Sequence, residues 1–449
     1  MRNPYITGRW VSGPEFYGRQ PLTEAILRGP DDHLWVMGLR RIGKTSLLRQ
    51  VELLSKEDSS FLPLFWDLQG CQSPDDLGLA LYEGVEEAAG DFTALGENIS
   101  DWESLDLFAL LKTLAQLARE NERRLLLLVD EAECLNHLAR THSHTLQRLR
   151  RALQRGPYIR TVLVSSKRLS ALHELCRDWE TSPFLHGFAL CYLSHLMPEA
   201  ATGLIRQRQA ARSVQAVPGL VAKIRQLTGD HPYLLQLLCS RLFTDGSLHP
   251  IADEDLAFVD AQMTGFLLND FAALSGPERA ILRAVSSGQP FPADAHPTYL
   301  HGLVGLGILR HEGNGYAIGN AFFARWLREQ ADWETKAEVS AEGTLTVYTQ
   351  SELEPVLAAV RENRLALAEM EQMLDAIRRA LVVWQREGLP GTERLGRALE
   401  KPGGPRHKLE ATLPLLPGAL AYKVEWGGEV RDLLTALRAT PIHNRRIER

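Results

Sequence analysis

Short apolar runs alternating with amphipathic stretches organise the first half of the chain. Five runs read as strands, at residues 33–37, 61–68, 125–129, 159–166 and 188–193, the third of them apolar on both faces. Stretches with helical spacing lie around them, at residues 22–27, 46–51, 75–89, 102–119 and 145–155. Strands alternating with helices predict a parallel sheet with helices on both faces. After residue 197 the strands stop. Residues 199–211, 218–228 and 232–243 read as helices, the second opening on Pro218, where a missing N–H costs little.

Residues 277–286 and 299–305 read as two more helices, 308–310 and 316–318 as a hairpin across Gly313-Asn314-Gly315, and 322–328 as a closing helix. Helix, helix and hairpin in so short a stretch predict a winged helix-turn-helix. The second of these helices carries His301 and no Lys or Arg, so it offers little to phosphates or base edges and is better suited to packing on protein. Residues 335–349 read as a linker running into a strand at 344–349. Residues 352–388 are the longest helical stretch. There Leu367, Met370, Leu374, Ile377, Leu381 and Trp384 alternate three and four apart, the period of a helix seam, which suits self-association and packing within the chain equally. A Gly/Pro-rich break at 388–405 precedes an apolar run at 413–422 and a short helix at 429–437. Four segments follow: 1–197, 198–271, 272–334 and a mostly α C-terminal region, 335–449.

The picture gains chemistry at the end of the first strand. Gly38-Leu39-Arg40-Arg41-Ile42-Gly43-Lys44-Thr45 fits G-x-x-x-x-G-K-[ST] at every fixed position, between a strand and a helix. Its glycines let successive backbone N–H groups turn onto phosphate oxygens, and the helix N-terminus adds partial positive charge. Lys44 is suited to the β- and γ-phosphates and Thr45 to a Mg²⁺ ion. Such a metal needs a carboxylate, and hydrolysis needs a group to orient water. Asp130 and Glu131 end the run Leu125-Leu126-Leu127-Leu128-Val129, so Asp130 is the candidate metal ligand and Glu131 the candidate for polarising water. The phosphate loop, Asp130-Glu131 and the segment from Ser165 to Arg168 all follow strands, and in parallel sheets ligands bind beyond those carboxyl ends.

Composition changes this little. The chain has 449 residues, 45% hydrophobic and 24% charged, as in ordinary globular proteins. A net charge of −6 argues against general coating of nucleic acid. The five cysteines form no C-x-x-C pair, which fits free thiols in a reducing compartment. No apolar run approaches the ~20 residues needed to cross a bilayer, and the N-terminus lacks the apolar segment of a signal peptide, so a cytoplasmic location without a membrane partner is expected. The C-terminal region has no cysteine, and its His407 and His443 stand isolated, which leaves no ground for a second catalytic centre there.

Together these segments resemble the STAND branch of the P-loop ATPases, multidomain signal-transduction ATPases related to AAA+ proteins. Asn3-Pro4-Tyr5 with Phe16-Tyr17-Gly18-Arg19 is similar to the family's opening segment, which packs near the adenine and brings in Tyr17 and Arg19. The loop from Gly38 through Arg40, Arg41, Ile42, Gly43, Lys44, Thr45 and Ser46 resembles its phosphate loop, and Asp130-Glu131 its second motif. Ser166 and Arg168 lie where the family carries a γ-phosphate sensor. Thr228-Gly229-Asp230-His231-Pro232 resembles its Gly-x-Pro helix start, whose proline approaches the nucleotide, although the motif's glycine position holds Asp230. His311 is the position nearest to the family's winged-helix histidine.

The resemblance implies an α/β P-loop NTPase domain, a helical subdomain and a winged helix, with ATP or ADP and Mg²⁺ as cofactors. It further implies slow hydrolysis, self-assembly in the ATP-bound form, a role in bacterial stress or conflict defence, and an effector or sensor protein engaged through residues 335–449. Two other readings stand beside it. One is a DNA-acting AAA+-like ATPase using the winged helix. The other is a non-hydrolysing ATP-binding scaffold, which Glu131 argues against. Arg148, Arg150, Arg151 and Arg155 are candidates for an arginine completing a neighbouring subunit's site. Arg148, Arg151 and Arg155 share one helix face, which also suits a solvated basic surface.

Overall fold

The five apolar runs form one all-parallel sheet. Its strands are β1 (His33–Gly38), β2 (Phe61–Asp67), β3 (Arg124–Asp130), β4 (Ile159–Ser165) and β5 (Ala189–Leu193), in the order β2-β3-β4-β1-β5. The computed structural model describes residues 3–154, 156, 158–177, 179, 182–288, 297–313 and 315–329, with the strands His407–Thr412 and Ala421–Trp426. Register brings the strand ends level, with Met37 beside Ser165, Gly38 beside Leu193 and Asp67 beside Asp130. The phosphate loop, Asp130 and Ser166 therefore leave one edge of the sheet together.

Period-two alternation explains why the strands read as apolar throughout. Leu125, Leu127 and Val129 join Trp35, Trp66 and Leu163 in one core, while Leu126 and Leu128 join Val36, Phe65, Val162 and Val164 in the other. Leu47, Leu48 and Val51 of the helix Lys44–Lys56 fill the second core, so the helix carrying Lys44 and Thr45 is anchored by its apolar face. Each such side chain contributes about 1.5–3 kcal/mol on burial. A buried Trp35 also donates its indole N–H to Ser165 Oγ at 2.8 Å, which fixes β1 against β4 just below the strand ends.

Helices follow the sheet, as the pattern predicts. Pro198–Ile205 is shorter than the stretch read from sequence, because Gln207 adopts a positive φ of 50° and turns the chain out of the helix. Pro218–Thr228 ends on Gly229 in the left-handed region, and Pro232–Leu242 starts three residues on. Asp230, where the resemblance calls for glycine, is also left-handed at φ 62°. Asp tolerates that conformation better than most residues. Arg225 grips its carboxylate through Nε and Nη2, both at 2.8 Å, and Leu196 N–H binds its carbonyl at 2.9 Å. The turn therefore forms without a second glycine. A small hairpin follows, β6 (Phe243–Thr244) with β7 (Ser247–Leu248).

The helix Asp253–Ala272, 20 residues long, was not legible in the sequence. After it come Gly276–Ser287, Pro297–Gly305 and the antiparallel pair β8 (Leu309–Glu312) and β9 (Gly315–Ile318), then helical residues 321–329. The helix Pro297–Gly305 packs on β5: a Cβ on Gly305 would stand 2.6 Å from the Tyr192 ring, and His301 meets that ring edge-on at 5.8 Å.

The first residues strap these parts together. Asn3 Nδ2 donates to the Ser240 carbonyl at 2.9 Å and Ile6 N–H to Gln236 Oε1 at 3.0 Å. A few residues later Val11 N–H donates to Ser46 Oγ at 3.1 Å and Gly13 N–H to Gln50 Oε1 at 2.7 Å.

Met1–Arg328 forms one compact unit and Glu329–Arg449 another. In the second, β10 (His407–Thr412) pairs antiparallel with β11 (Ala421–Trp426), from His407 beside Trp426 to Thr412 beside Ala421. The apolar run read at 413–422 thus overlaps the start of a strand. The strand read at 344–349, the seam within 352–388 and the helix at 429–437 lie outside the described residues. Among the described residues no helix is long and apolar enough to cross a membrane.

Candidate functional site

The loop after β1 has the backbone its sequence demands. Gly43 sits at φ 99° and caps the helix Lys44–Lys56 without a side chain, so the first-turn N–H groups face outward with no intrahelical partner. Gly38 has no room for a side chain: a Cβ there would stand 2.7 Å from Ile42 Cγ2. Ile42 itself is buried in the core beneath the loop and holds its curvature. Lys44, 8% exposed, folds over the loop with Nζ donating to the Leu39 carbonyl at 3.2 Å.

Asp130, 3% exposed, lies across from the loop and accepts a hydrogen bond from Thr45 Oγ1 at 2.6 Å. Its other oxygen accepts the Glu131 N–H at 2.9 Å. Burial raises its carboxyl above the usual range, opposed by those two donors and by Lys44. Two hard oxygen donors at this spacing fit Mg²⁺, which commonly takes one or two protein ligands and fills its remaining positions with phosphate and water. Thr45 and Asp130 would hold that ion.

Glu131 follows at φ 49°, a left-handed backbone that turns the chain out of the strand direction. Desolvation by the crevice walls raises its carboxyl, and the nearby Glu133 and Asp130 raise it further, against Lys44 and Arg40. A raised carboxylate is a better proton acceptor. Glu133 was missed in the sequence although it sits only two positions on. It accepts the Ser166 N–H through Oε1, tying the end of β3 to the end of β4. Ser166 Oγ accepts the Arg168 N–H at 3.3 Å, so this hydroxyl caps the short turn Lys167–Ala171.

Both loop arginines contact the helix Asp253–Ala272, Arg41 through its side chain and Arg40 through its backbone. Arg41 stacks its guanidinium between Tyr233 and Phe266, at 5.3 and 5.1 Å from the ring centroids. Arg40 donates its backbone N–H to Asp270 Oδ1 at 3.3 Å. Arg168 Nη2 meets Asn269 Oδ1 at 3.3 Å, and Lys167 pairs with the buried Glu278. Phe266, Asn269 and Asp270 all come from the helix Asp253–Ala272. Tyr233 is the second residue of the helix that Pro232 opens, so the contact from that helix to the loop is made beside Pro232.

Other positions singled out in the sequence take different places. Tyr17 is buried against Gly203, and its hydroxyl accepts the Gln209 N–H at 3.2 Å. Arg19, left-handed at φ 73°, donates through Nη1 to the His195 carbonyl at 3.0 Å. His195 meets His231 edge-on at 5.4 Å. Arg19 Nη2, His195 Nε2 and His231 Nδ1 are all buried without a partner. His311 lies on β8 against Tyr316, at 4.9 Å. Arg148 stacks over Phe108 at 3.9 Å, and Arg150 donates to the Ser182 and His186 carbonyls, so both are engaged within the fold. Arg155 lies outside the described residues.

The histidine pair gives a pH signature. Burial lowers His195 to about 4 and lowers His231 well below its ordinary value. Both rings are neutral in the fold and protonate near 6.5 when unfolded. Their contribution is therefore complete above pH 6.5 and is lost as pH falls toward 4, at about 1.4 kcal/mol per pH unit for each ring. Urea unfolding between pH 6.5 and 5 is expected to show this slope, and His195→Asn to remove about half of the pair's share. An unchanged slope in the variant would contradict it.

Comparison with known proteins agrees with the fold. No family model matches the chain, and no curated protein matches it. Among solved structures, a Walker-type ATPase of Pyrococcus abyssi superposes with TM-score 0.52 at 16% identity, over 72% of this chain and 99% of that one. The ORC2 protein of Aeropyrum pernix, solved as ADPNP and ADP complexes, gives TM-score 0.43 at 16% identity, over 72% of this chain and 94% of that one. Cdc6p of Pyrobaculum aerophilum gives 0.38 at 16%, over 70% and 94%. The fold and the site define a P-loop NTPase. Its parallel-sheet fold is similar to that of the Pyrococcus abyssi Walker-type ATPase.

Proposed function

We propose that this chain is a Mg²⁺-dependent ATPase that works as a nucleotide switch of the STAND type. The observation that carries this reading is the bridge from the phosphate loop to the helices beyond the sheet. Arg41 is held by Tyr233 and Phe266, and Arg40 by Asp270, so a phosphate entering the loop acts directly on residues 232–272. A ligand shifts a two-state equilibrium only through contacts that differ between the states, and in this reading the Arg40 and Arg41 contacts are the ones that change.

In this reading the loop N–H groups and Lys44 hold the phosphates, with Thr45 and Asp130 as the metal ligands. Held there, Mg²⁺ would neutralise charge on the phosphates. Glu131 accepts the proton of the attacking water. ADP keeps sheet, helical segment and winged helix closed, and ATP opens them for self-assembly and for an effector or sensor protein at residues 335–449. Tyr17 and Arg19 belong to the adenine side. The packing of Pro297–Gly305 on Tyr192 supports a protein-facing rather than DNA-facing role for that helix.

Light scattering of the full chain tests this, without nucleotide, with ADP, and with a slowly hydrolysed ATP analogue plus Mg²⁺. A defined larger assembly is expected with the analogue alone. A mass that is the same under all three conditions sinks the switch, and salt-sensitive, DNA-stimulated hydrolysis would replace it with a DNA-acting role.

A further inference from the structure

Asp270 stands at the phosphate loop without belonging to either motif. Its carboxylate accepts the Arg40 N–H, an amide of the loop itself. The positive groups acting on it are Lys44, Arg40 and Arg168. Lys44 is the residue suited to the β- and γ-phosphates, and Arg168 lies in the segment assigned to sensing the γ-phosphate. One carboxylate thus takes a loop amide, stands next to the residue that binds Arg168, and feels the charge of the cations that a terminal phosphate would need.

We infer that Asp270 occupies the γ-phosphate subsite in the closed form and makes this chain selective for the diphosphate over the triphosphate. The inference rests on the nucleotide reading above.

A carboxylate is a partial stand-in for a phosphoryl group: it is anionic and accepts hydrogen bonds through two oxygens in a plane. It can satisfy the Arg40 amide while leaving the deeper part of the loop free, so a diphosphate and Asp270 can be bound together. A triphosphate cannot share the site, since two anions would then compete for the same amide and cations. Entry of the third phosphate therefore displaces Asp270.

The displacement is transmitted because Asp270 does not stand alone. Asn269 meets Arg168, and Phe266, one helical turn earlier, stacks on Arg41. Releasing Asp270 loosens the C-terminal turn of Asp253–Ala272, which leads through Leu274 and Ser275 into the helix Gly276–Ser287. Burial raises the Asp270 carboxyl to about 6 even against its cationic neighbours, so holding it ionised in place at neutral pH carries a standing cost that helps release.

The test is the ratio of two dissociation constants. The full chain, Asp270→Ala and Asp270→Asn are titrated with ADP and with a slowly hydrolysed ATP analogue, each with Mg²⁺, and checked for an unchanged thermal transition without nucleotide. Both variants are expected to bind the analogue at least about 10-fold more tightly, with ADP affinity changed by less than about 3-fold. Asparagine keeps an oxygen acceptor for the Arg40 amide and removes only the charge, so a shift there reads competition between anions and not damage to the fold. Parent and variants that bind both nucleotides with an unchanged ratio would overturn the inference and leave the nucleotide site standing. A parent chain that binds neither nucleotide would overturn the nucleotide reading and this inference with it.

Discussion

Replacing Lys44 by alanine is expected to weaken ADP and ATP binding by about 10- to 100-fold, the size of one lost charge-assisted contact. The ammonium is already in position, almost buried and tied to the Leu39 carbonyl above the loop amides. Nothing else on the helix Lys44–Lys56 can replace it: the next basic residue, Arg49, stacks on Phe65 at 3.6 Å and pairs with Glu52 and Glu87. Hydrolysis should fall further than binding, by about 10²- to 10³-fold, because the γ-phosphate gains charge demand in the transition state. Competition with a fluorescent ADP measures the first effect, and phosphate release the second. Binding within about twofold of the parent would show that the loop is not the phosphate site.

Replacing Glu131 by glutamine should separate binding from chemistry. Thr45 and the Glu131 N–H are both bonded to Asp130, so the pair suited to the metal stands without the Glu131 carboxylate. ADP affinity is therefore expected to stay within about threefold of the parent, while hydrolysis drops by about 10²- to 10⁴-fold, the usual contribution of a general base. Glutamine keeps the size and the left-handed backbone of the position and removes only the basic oxygen. The raised carboxyl of Glu131 adds a direction in pH: activity of the parent declines as acidification protonates it. Multiple-turnover assays of parent and variant under saturating nucleotide read the effect. Equal rates would leave a binding scaffold as the better description.

The two motifs were legible because their chemistry fixes their spacing. A phosphate loop needs glycine at two set positions, and a metal ligand is best placed where a strand ends. The strands were legible for a different reason: β3, covered on both faces, has no polar position between Arg124 and Asp130 to confuse its period, and even the edge strand β5, with Leu190 43% exposed, is a run of apolar residues. The same logic hid the helix Asp253–Ala272. Leu256, Phe258, Val259, Met263, Phe266, Leu267, Leu268 and Phe271 are spread around it, so no single face stands out from the sequence. Asp270 was invisible in turn, being one acid on an unread helix, brought to the loop by tertiary packing alone. Asp230 was the opposite case. The sequence registered a missing glycine, but the compensating grip of Arg225 lies five residues back and follows no motif. The pair β10 and β11 was passed over because the alternation of Lys408, Leu409, Glu410 and Ala411 is brief. It also adjoins a longer apolar run whose Pro414 and Pro417 interrupt the strand pattern.

The strap formed by the first residues has a consequence for how the molecule is made. Asn3 finds its partner only at Ser240, 237 positions later. At ordinary rates of synthesis, about 5–20 residues per second, the amino end waits tens of seconds before that partner leaves the ribosome. Until then the segment that supplies Val11 to Ser46 lacks its far anchor. The phosphate loop can curl as soon as β1 and its helix exist, but the far anchor of the strap is a late arrival. A nascent chain that has not yet reached Ser240 thus carries the nucleotide motif with its strap anchored at one end only, at Ser46 and Gln50.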